Sequence, residues 1–590
     1  MKRFLSIIVM TCMLSACTNQ QPKNSLQFIL DGVHHNPGEA KTVSKYNDPE
    51  FLHSVGYNGI TPHWHVQCAL TYDSFEEGII PEGSAEREWI LAKQEEIRKE
   101  LRRAKEAGLK VYPFTDMLVL PTIILEKYSE QIVKDDHSSG GSVLHGRMSP
   151  DIQKEMTQRL VEAQIREIFE TFPELDGIVS RVGETYLFDT PYHSGSSPVG
   201  TSGDESRIAR HAELLKLFRR EICEKYDKQL FYRTWDFGFL HTRTDVFTKV
   251  MSQVEPHDNL CISIKYTKGD FHRLTQFNPT IGLGDHGYIV EVQGQPEYYG
   301  KGAHPVYIFG GMLNGFIEYE QNMSDEPYKS LLDLKKDPKF RGLWTWSRGG
   351  GWRGPYITNE MWCDVNAIST AVWAQDTTLN ESQVLHRSLA IMGVEESSIE
   401  PFISILHKAD EGVVKGQCSL IDFTEYNFTV NWARDQYISG EQSLSNYLKY
   451  IVNNDKGAEM MAEKEQAVVL WREIEQLSKS IRMQDAKDEE YLRVSSTYGR
   501  IKYELMREIF SIYYYGKLNE IKGVQMKNEM RAAIAAYDAL WVEWRDFVAA
   551  HPDSATIYEP NAFKLGSISE GVSGNPKMGV AASVDKYRNW

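Results

Sequence analysis

The chain has 590 residues, 41% of them hydrophobic and 25% charged, enough to bury a large core in two or more domains. Its formal net charge is −17. No Lys/Arg-rich run with interleaved aromatics offsets that charge, which argues against nucleic acid as a partner, because phosphate binding needs a concentrated basic face.

At the N-terminus, Lys2 and Arg3 precede the apolar run FLSIIVMTCM, too short for a permanent bilayer span, and LSAC then brings small residues up to Cys17. This order resembles a bacterial lipoprotein signal. Residues 1–17 are therefore expected to be a signal peptide ending in a lipidated Cys17, and 18–26 a polar tether. Membrane contact is expected through that anchor only. With no acidic run after Cys17, the periplasmic side is favoured over the cell surface. Cys68, Cys223, Cys261, Cys363 and Cys418 are scattered without a CxxC pair. They read as small buried apolar residues, not as a disulfide framework or a metal site.

From residue 27 the chain alternates strand-like and helix-like stretches. The strand candidates are FILDGV, NGITPHW, LKVYPFTDMLVLP, DGIVSRVGE, QLFYRTWDF, CISIKY, YIVEVQ and FRGLWTWSR. Between them lie helical periodicities in DPEFLHSVGY, SAEREWILAKQEEIRKELRRAKEAG, DIQKEMTQRLVEAQIREIFETF, SRIARHAELLKLFRREICEKY and VFTKVMSQV. Eight strands in this rhythm predict an α/β fold, a (β/α)8 TIM barrel over residues 27–358.

In such a barrel, chemistry sits where strands give way to loops. The fourth strand ends at Arg181 and Glu184, the fifth at Arg233 and Asp236, and the sixth at Lys265 and Asp270. The seventh leads to Glu297, and the eighth carries Trp344, Trp346 and Arg348. Carboxylates converging at one mouth suit glycoside hydrolysis, with one acid serving the leaving oxygen and another activating water or attacking the sugar. The cations suit a substrate with its own carboxylate, and the Trp rings suit a sugar face. His63 and His65, in HWH after the second strand, are candidate contacts to sugar hydroxyls. No cofactor or metal is expected.

Several of these motifs resemble the family 67 α-glucuronidases. ISIKYTKGDFH repeats that family's Lys five residues before Asp-Phe, with Lys265, Asp270 and Phe271. EVQGQPEYYG follows its E-x-Q-x-x-Q-E-Y-x-G pattern except at Pro296, Arg233 matches the fifth-strand Arg, and MWCDVNAISTAVWAQD is similar to its Asn-Trp helix through Asn366 and Trp373. The resemblance implies that Glu184 is the general acid of an inverting enzyme, that Asp270 and Glu297 activate water, and that Arg233 and Lys265 bind a uronate. It implies removal of an acidic sugar, α-linked glucuronic acid, from an oligosaccharide or polysaccharide. This chain departs from the family in having Arg181 where that motif has Lys, in lacking a β domain ahead of the barrel, and in inserting LFDTPYHSGSSPVGTSGDES after Glu184.

From residue 359 to 550 the periodicity becomes helical, in NESQVLHRSLAIMG, AEMMAEKEQAVVLWREIEQLSKSI, EEYLRVSSTYGRIKYELMREIFSIYYYGKLNEI and MKNEMRAAIAAYDALWVEWRDFVAA. An α-helical C-terminal domain is expected there, with Tyr513, Tyr514 and Tyr515 in its core or in a homodimer interface, and a loop-rich tail over 551–590. Two other functions stay open. One is a metal-dependent amidohydrolase-type barrel using the His-x-His pair, with His34 and His35 nearby. The other is a non-catalytic glycan-binding lipoprotein.

Overall fold

A computed structural model describes residues 24–35, 43–133, 150–183, 185, 190–195, 197–199, 203–236, 239–296, 299, 302–318, 327–349, 359–423, 425–426, 440–551 and 582–588. The signal segment with Cys17, and also Glu184 and Glu297, lie outside these residues.

The strands are β1 Phe28–His34, β2 Gly59–Ile60, β3 Lys110–Val111, β4 Phe114–Asp116, β5 Leu120–Pro121, β6 Gly177–Arg181, β7 His193–Ser194, β8 Gln229–Arg233, β9 Leu260–Lys265, β10 Gly287–Gln293 and β11 Phe340–Gly349. β5 and β7 form a small antiparallel pair. The other nine make one sheet in the order β3-β2-β1-β11-β10-β9-β8-β6-β4, and every pairing in it is parallel. The sheet curls, because its two ends belong to one stretch of chain. β3 and β4 are separated only by Tyr112 and Pro113. On one side of this stretch the Tyr112 and Phe114 N–H groups donate to the carbonyls of Ile60 and Pro62, at 2.9 Å each. On the other side the Val179 N–H donates to the Pro113 carbonyl at 3.0 Å.

Parallel strands are covered on both faces and so are apolar almost throughout. Every residue of β6, β8, β9 and β10 is buried. Successive side chains alternate between faces, and one alternate set closes on itself as an interior plug. Phe28, Leu30, Tyr112, Phe114, Val179, Phe231, Cys261, Ile289 and Trp344 form a cluster separate from the larger core outside the sheet. Phe231 meets Phe28 and Tyr112 edge to face, with ring centroids 5.0 and 5.1 Å apart.

Helices Pro49–Val55, Ala85–Glu106, Glu155–Thr171, Asp204–Phe218 and Thr244–Met251 alternate with the strands. The helix Ala85–Glu106 starts at Ser84, whose side chain accepts from the Arg87 N–H, and it buries Ile90, Ile97, Leu101 and Ala104. Apart from the short β3–β4 join, the alternation also lapses between β9 and β10, where no helix lies. Residues 266–286 instead fold back on themselves: Asn278 N–H donates to the Tyr266 carbonyl at 2.8 Å and Lys268 N–H to that of Gln276 at 2.9 Å.

Helix Met361–Gln375 belongs to the layer around the sheet. It is buried from Met361 to Ala374, the Leu26 N–H donates to its Ala374 carbonyl at 2.8 Å, and the Tyr57 hydroxyl donates to its Ala367 carbonyl at 2.9 Å. The helical region that follows comprises Glu381–Ile391, Glu396–Gln417, Gly440–Asn453, Gly457–Ser478, Ala486–Lys522 and Lys527–Ala550. Helices Glu396–Gln417 and Gly440–Asn453 were not among those expected. Of the C-terminal stretch, Ala582–Tyr587 forms a 3-10 helix whose Tyr587 packs edge-on against the buried Tyr513, 5.5 Å between centroids. The five described cysteines are buried and free. No described helix is long and apolar enough to cross a membrane.

Because Phe231 touches rings from two other strands, Phe231→Ala should leave a void the plug cannot refill and cost about 3–5 kcal/mol. Chemical denaturation would measure this. A loss below about 1 kcal/mol would mean that the plug is not close-packed.

Candidate active site

Two residues beyond the plug, toward the C-terminal ends of the strands, the same inward alternation brings up a polar layer. Asp116 follows Phe114, Arg181 follows Val179, Arg233 follows Phe231, Ser263 follows Cys261, Glu291 follows Ile289 and Trp346 follows Trp344. Lys265 stands one further step along β9, beside Glu291 in the register of β9 with β10.

Charges at this depth need partners, and each has one. Arg181 makes a two-pronged bond to Asp116, with its guanidinium 4.8 Å from the Phe114 ring centroid. Arg233 donates through Nε to both oxygens of Glu291, at 2.9 and 3.0 Å, and lies 5.3 Å from the centroids of Phe114 and Trp346. Glu291 is fully buried. It also accepts from the Ser263 hydroxyl at 3.0 Å and from the Trp346 indole N–H at 3.2 Å. The third pair is less enclosed. Lys265 Nζ lies 3.3 Å from Asp270 Oδ1, and the Asp270 side chain is 30% exposed. Lys265 also stands 3.7 Å over the Trp235 ring and 4.7 Å over Phe271.

Aromatic and imidazole rings complete the wall. Trp346 lies 5.3 Å from His34 and 6.2 Å from Phe271, and His34 meets His63 edge-on at 5.7 Å. Burial pushes the His34 imidazole down to about 3, helped by the positive charges of Arg181, Arg233 and Lys265, and burial, with the neighbouring His34 and Arg181, pushes His63 well down too. Both rings are therefore neutral at physiological pH, able to donate or accept a hydrogen bond without adding charge. A cavity of about 290 Å³ opens beside this cluster, with Asp31, His35, Tyr46, Thr61, His63 and Trp64 in its lining. Among the described residues, no group of three His, Cys, Asp or Glu side chains could hold a metal ion.

Of the residues expected at the mouth, Arg181, Arg233, Lys265, Asp270, His63 and Trp346 come together there. Three do not. Trp344 is part of the plug, 1% exposed and stacked beneath Trp346 at 5.0 Å, so its ring is core. Asp236 turns away, and its carboxylate accepts from the Leu240 and His241 N–H groups at 2.9 and 3.2 Å and meets His211 Nε2 at 3.2 Å. Burial alone would raise the Asp236 carboxyl, but these bonds hold it below its usual range, so it anchors the loop after β8. Arg348 pairs with Glu360 at 3.1 Å, a carboxylate that also accepts from the Ser44 hydroxyl and the Lys45 N–H. It thus clasps β11 to the chain after β1. His65 opens the 3-10 turn Val66–Cys68 with a left-handed backbone, φ 52°.

Glu184 and Glu297 lie outside the described residues, but the chain leading to each is pinned. A Cβ on Gly183 would lie 2.2 Å from the Trp235 carbonyl oxygen, and one on Gly294 would lie 2.9 Å from the Thr345 methyl. Only glycine permits either approach. Asp116, Glu291, Trp235 and Phe114 are not among the residues expected at the mouth. The signal for the first two was a carboxylate on the inward parity of an otherwise apolar strand, which has to be paired.

No family model and no curated protein matches the chain. Among solved structures it is similar to a GH138 enzyme targeting pectin rhamnogalacturonan II, at 11% identity and a TM-score of 0.54 over 96% of this chain and 83% of that one. That likeness is one of fold, and it spans the curled sheet and the helical region together. A family 89 glycoside hydrolase from Clostridium perfringens aligns at 10% identity and a TM-score of 0.42 over 79% of this chain and 45% of that one. An O-GlcNAc hydrolase from Thermobaculum terrenum aligns at 9% and 0.38 over 93% and 96%. Scores this low carry nothing further.

Below the mouth, His241 Nε2 lies 2.9 Å from the Thr267 carbonyl, which can only accept, so Nε2 bears the proton and Nδ1 faces the Thr234 hydroxyl at 3.0 Å. Burial pushes this imidazole down to about 3, below the roughly 6.5 of an unfolded histidine. In that window only the unfolded chain takes up the proton. The contribution of His241 is thus fully present above about pH 6.5 and is lost as pH falls, at up to about 1.4 kcal/mol per pH unit. His34, His193 and His272 are shifted the same way. Urea unfolding should therefore show stability falling from about pH 6.5 to 5, with a shallower slope in His241→Gln by up to one proton. An unchanged slope would mean that His241 is protonated in the fold.

Proposed function

We propose that the chain is a glycoside hydrolase working at the mouth of a (β/α)8 barrel, in which β3 and β4 act as one third strand, and that it releases an acidic sugar from a glycan. The observation that carries this reading is the Lys265–Asp270 pair set among Trp235, Phe271 and Trp346. It puts a partly exposed carboxylate, a cation and apolar ring faces within one sugar's reach of each other. The fold shared with a pectin-targeting enzyme supports it and makes pectin fragments the first glycans to test.

In this reading Glu184, just past the end of β6, donates the proton to the leaving oxygen, and Asp270 with Glu297 activates the attacking water. Inversion would follow from the family 67 resemblance and requires a carboxyl separation of about 6.5–9.5 Å. Glucuronic acid is the sugar that resemblance favours. Arg181 is committed to Asp116, so recognition of the sugar carboxylate falls to Lys265 and to the Arg233 Nη groups, which have no hydrogen-bond partner among the described residues. The protein would work tethered through a lipidated Cys17 on the periplasmic side, and Cys17→Ala should then move it from the membrane to the soluble fraction.

Purified protein incubated with uronic-acid-bearing oligosaccharides should release a monosaccharide. Lys265→Ala should lower kcat/KM on the acidic sugar by about ten- to hundredfold and much less on its neutral counterpart. Asp270→Asn should lower kcat on both, by about 10²–10⁴. Release from none of the panel would overturn the glycosidase reading. Equal losses on acidic and neutral sugars in Lys265→Ala would overturn uronate recognition alone.

A further inference from the structure

The loop that presents Asp270 has no helix to hold it, and its far side is gripped by a residue outside the mouth. Arg273, three residues on, is 5% exposed, and its guanidinium forks onto two carboxylates. Nε and Nη2 donate to Glu318 at 2.8 and 3.2 Å. Nη1 donates to the carboxylate of Asp410 and, at 2.9 Å, to its backbone carbonyl. Glu318 is 1% exposed and comes from the chain between β10 and β11, while Asp410 lies on helix Glu396–Gln417 of the helical region. The Phe316 ring lies 4.9 Å from the guanidinium. The Arg273 N–H donates to the Tyr299 hydroxyl at 2.6 Å, and His272 stacks on that same ring at 4.9 Å. Asp270 is tied into the arrangement by the His272 N–H, which donates to its carbonyl at 2.8 Å.

We infer that Arg273 is a positioning residue for the Lys265–Asp270 pair, and that through it the helical region, by way of Asp410, sets where the Asp270 carboxylate stands in the mouth. This rests on the glycosidase reading above. The geometry favours such a role over simple stabilisation. A planar fork filled from two directions fixes orientation as well as charge, and its two carboxylates come from different parts of the fold. Tyr299, which takes the backbone bond, comes from the chain after β10, so the same contact ties the loop after β9 to a second segment. Glu318, Asp410 and Tyr299 are the titratable groups bonded to Arg273, and His407, beside Asp410, offsets part of the carboxylates' field.

The test compares the full chain with Arg273→Lys, which keeps the charge but loses the fork, and with Asp410→Asn, which cuts only the link to the helical region. On a pectin-derived acidic oligosaccharide, Arg273→Lys should lower kcat about 10–100-fold with KM within about twofold, and Asp410→Asn should fall between it and wild type. Hydrogen–deuterium exchange over residues 266–278 should be faster in both. Wild-type kcat in both variants, or unchanged exchange in that segment, would overturn the inference, as would a lowered unfolding midpoint with kcat intact. Should the wild-type chain release no sugar, the glycosidase reading fails, while the exchange measurement still decides whether Arg273 holds the loop.

Discussion

Three ion pairs stand on an apolar plug, and the pairing of charges there constrains everything above it. A lone carboxylate or guanidinium at the depth of Glu291 or Arg181 would cost several kcal/mol in lost hydration. Each is therefore met by a partner: Arg181 by Asp116 on the neighbouring β4, Arg233 by Glu291 on β10, and Lys265 by Asp270 from the loop that follows its own strand. Pairing fixes the side chains as well as neutralising them, since Glu291 takes bonds from three directions and holds Trp346 and Arg233 at set positions. Only the Lys265–Asp270 pair opens to solvent, so a substrate would meet that pair first.

The site is not the property of the curled sheet alone. Segments after β9 and β10 lead to two of the three candidate acids, and both lean on neighbours: the first on Arg273 and the helical region, the second on the backbone of β11, where the Gly294 and Gln295 N–H groups donate to the Trp346 carbonyl at 2.9 and 2.8 Å. Missing a helix between β9 and β10, the fold substitutes His241, Asn278 and Thr267 as internal clamps. The helical region thus acts as part of the mouth's scaffold, consistent with a structural neighbour in which both regions align together.

Much of this was legible in the chain. The eight apolar stretches became the strands of the parallel sheet because strands covered on both faces carry a signal in composition alone. Lys265 and Asp270, five residues apart at a strand end, do meet. Side-chain parity was harder to read. Trp344 and Trp346 differ by one step along the same face, and only the ring of neighbours shows that the first is plug and the second is wall. Asp236 looked like Asp270 in sequence, yet two backbone N–H groups and His211 claim it. Helix Glu396–Gln417 was not expected; it holds Pro401, Gly412 and Gly416, poor helix formers, and its burial against the rest of the fold outweighs their cost.

The central claim is that this mouth receives the carboxylate of a sugar. A crystal structure of the chain soaked with a uronic-acid disaccharide tests it most directly. The carboxylate is predicted to lie within hydrogen-bond reach of Lys265 Nζ and the Arg233 Nη groups, with the ring against Trp235 or Trp346. A disaccharide bound with its carboxylate toward solvent, or seated away from Lys265 altogether, would contradict it.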